Sequence, residues 1–445
     1  MQEGTSGSLR RGYRALDSRL LDFVLTTSSP QFMLHKVSIL SKGGERTVAK
    51  AQNLVCSKTR WQGREAYTLS NGLLQMVNLT GGGHIAEFRF TDGSGLPTLN
   101  PLWIPNWKGI EPFQYRARAH AKRYGPMLEG KLLSGIAGHN ICLDYFGSPS
   151  EEEAAQGLST HGEAPSLKWR KSSERLRAGQ LSLTLSVRLP EAGLEFSREI
   201  GMRAGESVVY LKEAVTNERK LDHFFHWTQH VTLGPPFVAP EDGRVFMSAT
   251  KGITSTDAYA EKALLGFGKE FQWPLAPGSS GGEVDLSYCL TRRGAGIVAS
   301  LILDPARDVQ FVGALNTRHR LLFAYCFHRA DYPWVTIWEE NCAREGPPWN
   351  GRAETRGLEF GSAPLPATRR EAFTRGPILG TPTFSSVPAR GRLTIPYVAF
   401  LAQLPEGFRE VRDISLRKNE ILVQGREPDQ MVTIPASGLA AVGLA

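Results

Sequence analysis

The chain has 445 residues and a mass of 49.0 kDa, with 41% hydrophobic and 22% charged residues. These values exclude a disordered protein, and no apolar run approaches the ~20 residues that span a bilayer. Glycine and proline number 46 and 27, which suits short strands joined by tight turns and argues against long helices.

The net charge of +8 does not indicate a nucleic-acid partner, because the basic residues are scattered and acidic residues lie among them. The five cysteines are odd in number and widely spaced, which favours free thiols over disulfides. Asp17, Arg19 and Asp22 interrupt the apolar core that a signal peptide needs. We therefore expect a cytoplasmic protein that interacts with neither a membrane nor a nucleic acid.

The predicted elements begin after a flexible N-terminal arm, residues 1–35, which is rich in Ser, Thr, Gly and Arg. Residues 36–445 are predicted to form a single domain, since no linker divides them. Alternation with period two is clearest over residues 181–189, where leucines and a valine alternate with polar residues. Similar stretches recur over residues 86–90, 194–200, 208–215, 224–233, 297–303, 309–315, 321–327, 334–338, 392–401, 420–423 and 431–434.

A helical period is visible only over residues 151–156, and strands do not alternate with helices as a parallel sheet requires. The pattern therefore predicts an all-β fold, a large antiparallel β-sandwich with few short helices.

Three histidines lie close together at positions 223, 226 and 230. If residues 224–233 form one strand, His226 and His230 share a face and His223 points away. This disfavours a metal site made by all three. One or two of them could still bind a metal with distant carboxylates, or they could be ordinary hydrogen-bonded histidines.

The C-terminal third is rich in aromatic and polar residues, which could form a sugar site because a pyranose presents C–H faces and a rim of hydroxyls. The candidates for substrate binding are Trp338, Glu340, Asn350 and Arg356, together with His226. Upstream, His161 lies in a loop and is followed by Gly162, which would allow a ligand to approach the backbone.

Three phrases occur in a recognisable order: LSTHGE at residues 158–163, WTQHVTLGPP at 227–236 and RGLEFG at 356–361. In these phrases the chain resembles the galactose mutarotase-like superfamily, whose best-known members are aldose 1-epimerases. The likeness covers about residues 60–400. It implies a β-supersandwich that interconverts the α and β anomers of a free monosaccharide or small sugar derivative, with no cofactor and no metal.

Carried across, the resemblance implies that Glu359 takes the proton from the C1 hydroxyl, that His230 protonates the ring oxygen, and that His161 hydrogen-bonds near that oxygen. The chain departs from the family pattern because Gln229 precedes the strand histidine and the Asn-Arg-Ile phrase is absent. We therefore expect a divergent branch. Two alternatives stay open: a sugar-binding protein without turnover, and a metal-dependent sugar isomerase or lyase using His226, His230 and Glu340.

Overall fold

The computed structural model describes residues 54–445, so the predicted arm, residues 1–35, lies outside the described residues. Within them the chain forms 26 strands. They are β1 (Val55–Trp61), β2 (Arg64–Ser70), β3 (Leu74–Leu79), β4 (Ile85–Phe90), β5 (His139–Cys142), β6 (Arg170–Arg177), β7 (Gln180–Leu189), β8 (Leu194–Arg203), β9 (Val208–Asn217), β10 (His223–Phe225), β11 (Thr228–Leu233), β12 (Gly243–Met247), β13 (Ala249–Thr254), β14 (Glu270–Gln272), β15 (Leu275–Pro277), β16 (Glu283–Asp285), β17 (Ala295–Leu303), β18 (Val309–Asn316), β19 (Leu321–His328), β20 (Trp334–Asn341), β21 (Glu354–Gly361), β22 (Ser385–Val387), β23 (Arg392–Gln403), β24 (Val411–Arg417), β25 (Glu420–Gly425) and β26 (Met431–Pro435).

Five short α-helices accompany the strands in the described residues. They are α1 (Ala117–Tyr124), α2 (Met127–Leu133), α3 (Glu151–Ala155), α4 (Arg369–Thr374) and α5 (Leu439–Val442). The predicted helix is α3, and Ser150 is its N-cap. The Ser150 hydroxyl accepts a hydrogen bond from Glu153 N, and the Glu153 carboxylate accepts one from Ser150 N. None of these helices is long and apolar enough to cross a membrane.

Two large antiparallel sheets form the sandwich. One has thirteen strands in the order β1-β2-β3-β4-β5-β11-β21-β20-β17-β13-β14-β15-β16, and the other has eight in the order β12-β18-β19-β23-β9-β8-β7-β6. The alternating leucines of β7, residues 181, 183, 185 and 189, are buried in the core cluster that both sheets share. The predicted all-β sandwich is therefore confirmed, because period-two alternation places one apolar face of each sheet inside.

A third sheet of three strands, β24-β25-β26, brings a second apolar core to the eight-stranded sheet. Leu322, Phe400 and other residues of the eight-stranded sheet pack there with Ile421 and Val423 of β25. Buried residues of β19 and β23 therefore contribute to both cores, which explains their nearly continuous apolar sequences.

The single strand predicted over residues 224–233 is wrong, because the chain leaves the strand conformation at His226 and Trp227. β10 pairs with β22, whereas β11 joins the thirteen-stranded sheet. His226 N donates to the carbonyl of Asp144, and Trp227 Nε1 donates to Glu213 in the core. Tertiary contacts thus interrupt the strand that the alternation of apolar and polar residues predicts. The prediction that His226 and His230 share one strand face is therefore wrong.

A fully buried polar network lies among the core residues between the two large sheets. Glu213 of β9 pairs with Arg198 of β8 and accepts hydrogen bonds from Trp227, Gln229 and the Tyr397 hydroxyl. Gln229 Oε1 in turn lies 2.9 Å from a ring nitrogen of His139 on β5. The network therefore joins β5, β8, β9, β11 and β23, and it fixes β5 and β11 relative to the sheet that faces them.

Candidate functional site

His230 and Glu359 face each other across two neighbouring strands. His230 of β11 is opposite Glu359 of β21 in the antiparallel register, and His230 Nε2 lies 3.2 Å from Glu359 Oε1. Their neighbours Val231 and Leu358 point into the core between the sheets. Because side chains alternate along a strand, His230 and Glu359 occupy the other face of the thirteen-stranded sheet. This face is called the site face below.

Gly357 makes room for this pair. A Cβ placed on Gly357 would lie 2.5 Å from Glu359 Oε1 and 3.1 Å from the Cβ of Trp338. Any side chain there would occupy the space that the carboxylate now uses. The Gly-Leu-Glu phrase therefore has a steric basis, since the glycine two residues before Glu359 lies on the same face of β21.

His161 approaches the pair from the loop between α3 and β6. Its ring centroid is 5.1 Å from that of His230, and its other side stacks on Phe146 at 5.4 Å. Its φ of +67° is in the left-handed region, and its Nδ1 accepts a hydrogen bond from Gly147 N at 3.2 Å. The loop thus fixes the imidazole, leaving Nε2 as the nitrogen that a ligand can use.

Gly162 is needed for this loop to reach the sheet. A Cβ at Gly162 would lie 2.2 Å from the carbonyl oxygen of Leu143, and its φ is +80°. The close approach is therefore to the protein's own backbone, where Leu143 and Gly162 form a β-bridge.

Aromatic rings and an arginine extend the site along the sheet. The Trp338 ring lies 5.8 Å from that of His230, and Trp338 Nε1 donates to the Tyr259 hydroxyl at 2.7 Å. The Arg344 guanidinium lies over three rings, at 5.0 Å from Trp349, 5.2 Å from Tyr259 and 5.8 Å from Trp338. Arg344 is partly exposed, so a planar cation and flat apolar faces lie together beside the His–Glu pair.

Burial favours the uncharged forms of the three central groups. Desolvation lowers the pKa of His230 to about 4 and holds the pKa of His161 well below its usual range. Desolvation also raises the pKa of Glu359 well above its ordinary value. The side chains of His230 and Glu359 are only 6% and 2% exposed, so water does little to stabilise a charge on either one.

Several buried polar atoms on the site face have no hydrogen-bond partner within residues 54–445. They are Glu359 Oε1, Asn140 Nδ2 and Oδ1, Thr228 Oγ1, Thr355 Oγ1 and Glu340 Oε2. Although Glu359 Oε1 is close to His230 Nε2, the contact does not have hydrogen-bond geometry. Fourteen other buried polar atoms in residues 54–445 are also unpartnered, so the grouping of six on four adjacent strands, and not the lack of partners by itself, is the feature that a site for a polar ligand would share.

The structure brings together only some of the residues predicted from the sequence. His161, His230, Glu359 and Trp338 form one cluster. Arg356 is not in it, because Arg356 lies on the core face of β21, where it pairs with Glu339 at 2.8 Å and bonds the carbonyls of Leu286 and Tyr288. Arg356 and Glu359 are three residues apart, so on a strand their side chains point to opposite faces.

The other predicted substrate-binding residues have local roles. Glu340 Oε1 accepts hydrogen bonds from the backbone N–H groups of residues 343 and 344, which positions the turn that carries Arg344. Asn350 is exposed and its amide donates to the carbonyl of Pro348. His226 Nδ1 accepts a hydrogen bond from Phe146 N, so His226 supports the ring on which His161 stacks.

No three His, Cys, Asp or Glu side chains of the described residues are grouped as metal ligands would be. The histidine pair considered for a metal, His226 and His230, is separated by the break between β10 and β11. All five cysteines are free, and Cys142, Cys289 and Cys326 are buried.

Neither a protein-family model nor a curated protein sequence matches the chain. Solved structures do match. A provisionally named aldose 1-epimerase from Klebsiella pneumoniae superposes with a TM-score of 0.55 at 13% identity, covering 76% of this chain and 79% of that one. A galactose mutarotase-like protein from Clostridium acetobutylicum gives 0.55 at 12% identity, covering 79% of this chain and all of that one (100%).

A provisionally named mutarotase from Salmonella typhimurium gives a TM-score of 0.51 at 12% identity, covering 78% of this chain and 94% of that one. The chain has the galactose mutarotase-like fold. The resemblance drawn from three sequence phrases is thereby confirmed for the fold. At this identity the likeness describes architecture, so activity has to be argued from the site.

Sequence reasoning missed two residues of the site. Arg344 follows β20 in a turn, and no spacing rule connects it to Trp338, Tyr259 and Trp349, which come from three separate segments. Asn140 lies in the phrase Gly138-His139-Asn140, whose polar character inside a short buried strand was a usable signal. Neither residue corresponds to a position in the three phrases that carry the resemblance.

Proposed function

We propose that this protein is an aldose 1-epimerase-like enzyme that interconverts the anomers of a free sugar. One observation carries the proposal: His230 Nε2 and Glu359 Oε1 lie 3.2 Å apart on one sheet face, with the His161 ring 5.1 Å from that of His230. Opening a pyranose requires a proton to leave the C1 hydroxyl and another to reach the neighbouring ring oxygen. Two groups at hydrogen-bonding separation can serve two adjacent substrate oxygens.

The reaction is a balanced proton exchange. Glu359 takes the proton from O1 while His230 gives a proton to O5, the C1–O5 bond breaks, and C1=O1 forms. Rotation about C1–C2 then presents the other face of the aldehyde. Closure reverses the transfers, with His230 removing the proton from O5 and Glu359 returning one to O1, so the enzyme ends as it began.

The pKa shifts of the pair fit this exchange. Burial raises the pKa of Glu359 and lowers the pKa of His230 to about 4, so burial favours the form of the pair in which the mobile proton is on Glu359. Transfer of that proton to His230 gives the carboxylate and imidazolium that ring opening uses. Substrate hydroxyls would favour this transfer, since they solvate both charges in a site that is otherwise poorly hydrated.

The remaining residues of the cluster suit recognition of a sugar. Trp338 is 8% exposed, so a pyranose would contact only the part of its ring that lies beside His230, and the His161 imidazole is placed to donate to the ring-oxygen region. The Arg344 guanidinium carries five N–H donors, more than its neighbours Glu340 and Tyr259 occupy, so N–H groups remain for sugar hydroxyls.

A second candidate is a sugar-binding protein without turnover. The exposure of Arg344, whose side chain is 39% exposed, favours it, because a sugar can contact this guanidinium without reaching the buried pair of His230 and Glu359. A metal-dependent isomerase or lyase is less well supported, because Glu340 already accepts two backbone hydrogen bonds and the β10–β11 break divides the two histidines.

Proton-NMR exchange spectroscopy on equilibrated aldoses tests the proposal. Wild type should transfer magnetisation between the two anomeric signals, and His230→Ala and Glu359→Gln should each abolish the transfer. Glu354→Gln is the control, since Glu354 lies on the same strand as Glu359 but pairs with Arg293 at the surface, with side chains 37% and 69% exposed.

Exchange by wild type and by the Glu354→Gln variant, but by neither site variant, would support the enzyme. Saturation transfer from the protein to a sugar without anomer exchange would favour the binding protein. Thermal unfolding of each variant distinguishes loss of chemistry from loss of fold.

A further inference from the structure

Asn140 is a buried amide on the site face that the proposed chemistry does not use. It lies on β5 opposite His230 of β11 in the antiparallel register, and its exposure is 0%. Neither its Nδ2 nor its Oδ1 has a hydrogen-bond partner within residues 54–445. Its neighbours His139 and Ile141 point into the core between the sheets, where His139 bonds Gln229 and Ile141 joins the main cluster.

An amide held in this way destabilises the free protein, because it has left water without gaining a protein partner. Asn78 of β3 is unpartnered in the same way, so it is the position of Asn140 beside His230, and not its missing partners alone, that points to a ligand. The Asn140 amide, with its donor and its acceptor, lies on the same side of the sheet as His230 Nε2 and Glu359 Oε1.

The strand order places three polar groups in a row. Adjacent strands β5, β11 and β21 carry Asn140, His230 and Glu359 at paired positions. Two strand spacings separate the backbones of β5 and β21 by about 9 to 10 Å. The side chains of His230 and Glu359 converge, with Nε2 and Oε1 3.2 Å apart, so a ligand of the size of one pyranose spans the row.

This row corresponds to the order of atoms in a pyranose. With the ring oxygen at His230 and O1 at Glu359, the carbon on the other side of the ring oxygen is C5, and its substituent C6 points toward β5. The oxygen on C6 is therefore the substrate atom nearest to Asn140. A neutral, enclosed amide matches a hydroxyl, which both donates and accepts, better than it matches a phosphate.

We propose that Asn140 is a specificity-determining residue that hydrogen-bonds the C6 hydroxyl of a hexopyranose. This inference rests on the proposed function and deepens it, because it names the substrate class as hexoses with an unmodified C6. Pentopyranoses, which lack C6, would leave the amide unpaired and would react more slowly.

The experiment compares sugars that differ only at C6. D-Glucose is paired with D-xylose, and D-galactose with L-arabinose, and anomer exchange is measured for wild type, Asn140→Leu and Asn78→Leu. Asn78 is the matched control, because it is also fully buried with both amide atoms unpartnered but lies on β3. Leucine keeps the branched shape at Cγ and removes the polar atoms, while its two methyl groups make it larger than asparagine.

We expect wild type to prefer the hexose of each pair by about tenfold or more in kcat/KM. Asn140→Leu should lose that preference by slowing on hexoses and not on pentopyranoses, with a melting temperature equal to or above that of wild type. Asn78→Leu should keep the preference.

An equal loss on both sugars of a pair, or an unchanged preference in Asn140→Leu, would overturn the inference while the epimerase function stands. Absence of exchange by wild type with every sugar would overturn the epimerase function and this inference with it. The two failures are therefore distinguishable.

Discussion

Gly357→Ala tests the placement of Glu359 without altering either reacting group. The added Cβ would lie 2.5 Å from Glu359 Oε1, whereas ordinary contact begins near 3.4 Å. The carboxylate oxygen must therefore retreat by about 0.9 Å, or the strand must shift by a similar amount. A displacement of about 1 Å in a reacting group can reduce a rate by about 100-fold.

We expect Gly357→Ala to reduce anomer exchange by about 100-fold while the protein stays folded. Position 357 does not have a positive φ, so alanine suits its backbone. The assay is NMR exchange spectroscopy, with thermal unfolding to verify the fold. Gly346→Ala is the control, because no atom lies within 4 Å of a Cβ at Gly346. Exchange at the wild-type rate in Gly357→Ala would refute the assignment of Glu359 to the reaction.

Three further predictions concern stability and recognition. The free energy of unfolding should fall as the pH drops from about 6.5 to about 4, by on the order of 2 kcal/mol per histidine. Burial lowers the folded-state pKa of His226 to about 4 and of His84 to about 3, so in this range only the unfolded chain binds protons at these residues. Urea unfolding at pH 7 and pH 4.5 measures the loss, which should be smaller in His226→Gln; an equal loss in that variant would contradict the reasoning. Arg198→Met should cost about 3 to 5 kcal/mol because it leaves the Glu213 carboxylate buried without its cation, and urea unfolding would count against this if the loss were under about 1 kcal/mol. Arg344→Gln should raise the KM for the sugar about tenfold with little change in kcat, as measured from exchange rates at increasing sugar concentration; a selective fall in kcat would place Arg344 in the chemistry instead.

Much of the fold was predictable because apolar and polar residues alternate along its strands. The leucines of β7 and the apolar residues of β8 and β9 follow period two, and a half-buried antiparallel sheet produces that pattern directly. Helices α1 and α2 were not predicted, since they have only eight and seven residues, about two turns, in which a helical period is hard to recognise. The break between β10 and β11 depends on contacts with Asp144 and Glu213, which are distant in sequence and leave no local signal.

The relative positions of candidate site residues were predictable when the residues lie on one strand. They were not predictable when the residues come from segments that are far apart in sequence. Side chains three residues apart on a strand point to opposite faces of the sheet, so the spacing of Arg356 and Glu359 on β21 was enough to reject the prediction that both face the substrate. Arg344 could not have been found in this way, because its neighbours Tyr259 and Trp349 come from different loops. The position of Asn140 opposite His230 depends on the register between β5 and β11, which the sequence does not reveal.

The small C-terminal sheet has a practical consequence for anyone who shortens the chain. Leu315, Leu322 and Phe400 of the eight-stranded sheet pack in the second core together with β24, β25 and β26. A chain ending near residue 404 would keep every residue of the proposed site yet present these apolar side chains to water. Such a truncated chain would be expected to aggregate, although every residue of the proposed site is present in it. The residues needed to cover the eight-stranded sheet therefore extend well past the last residue of the proposed site.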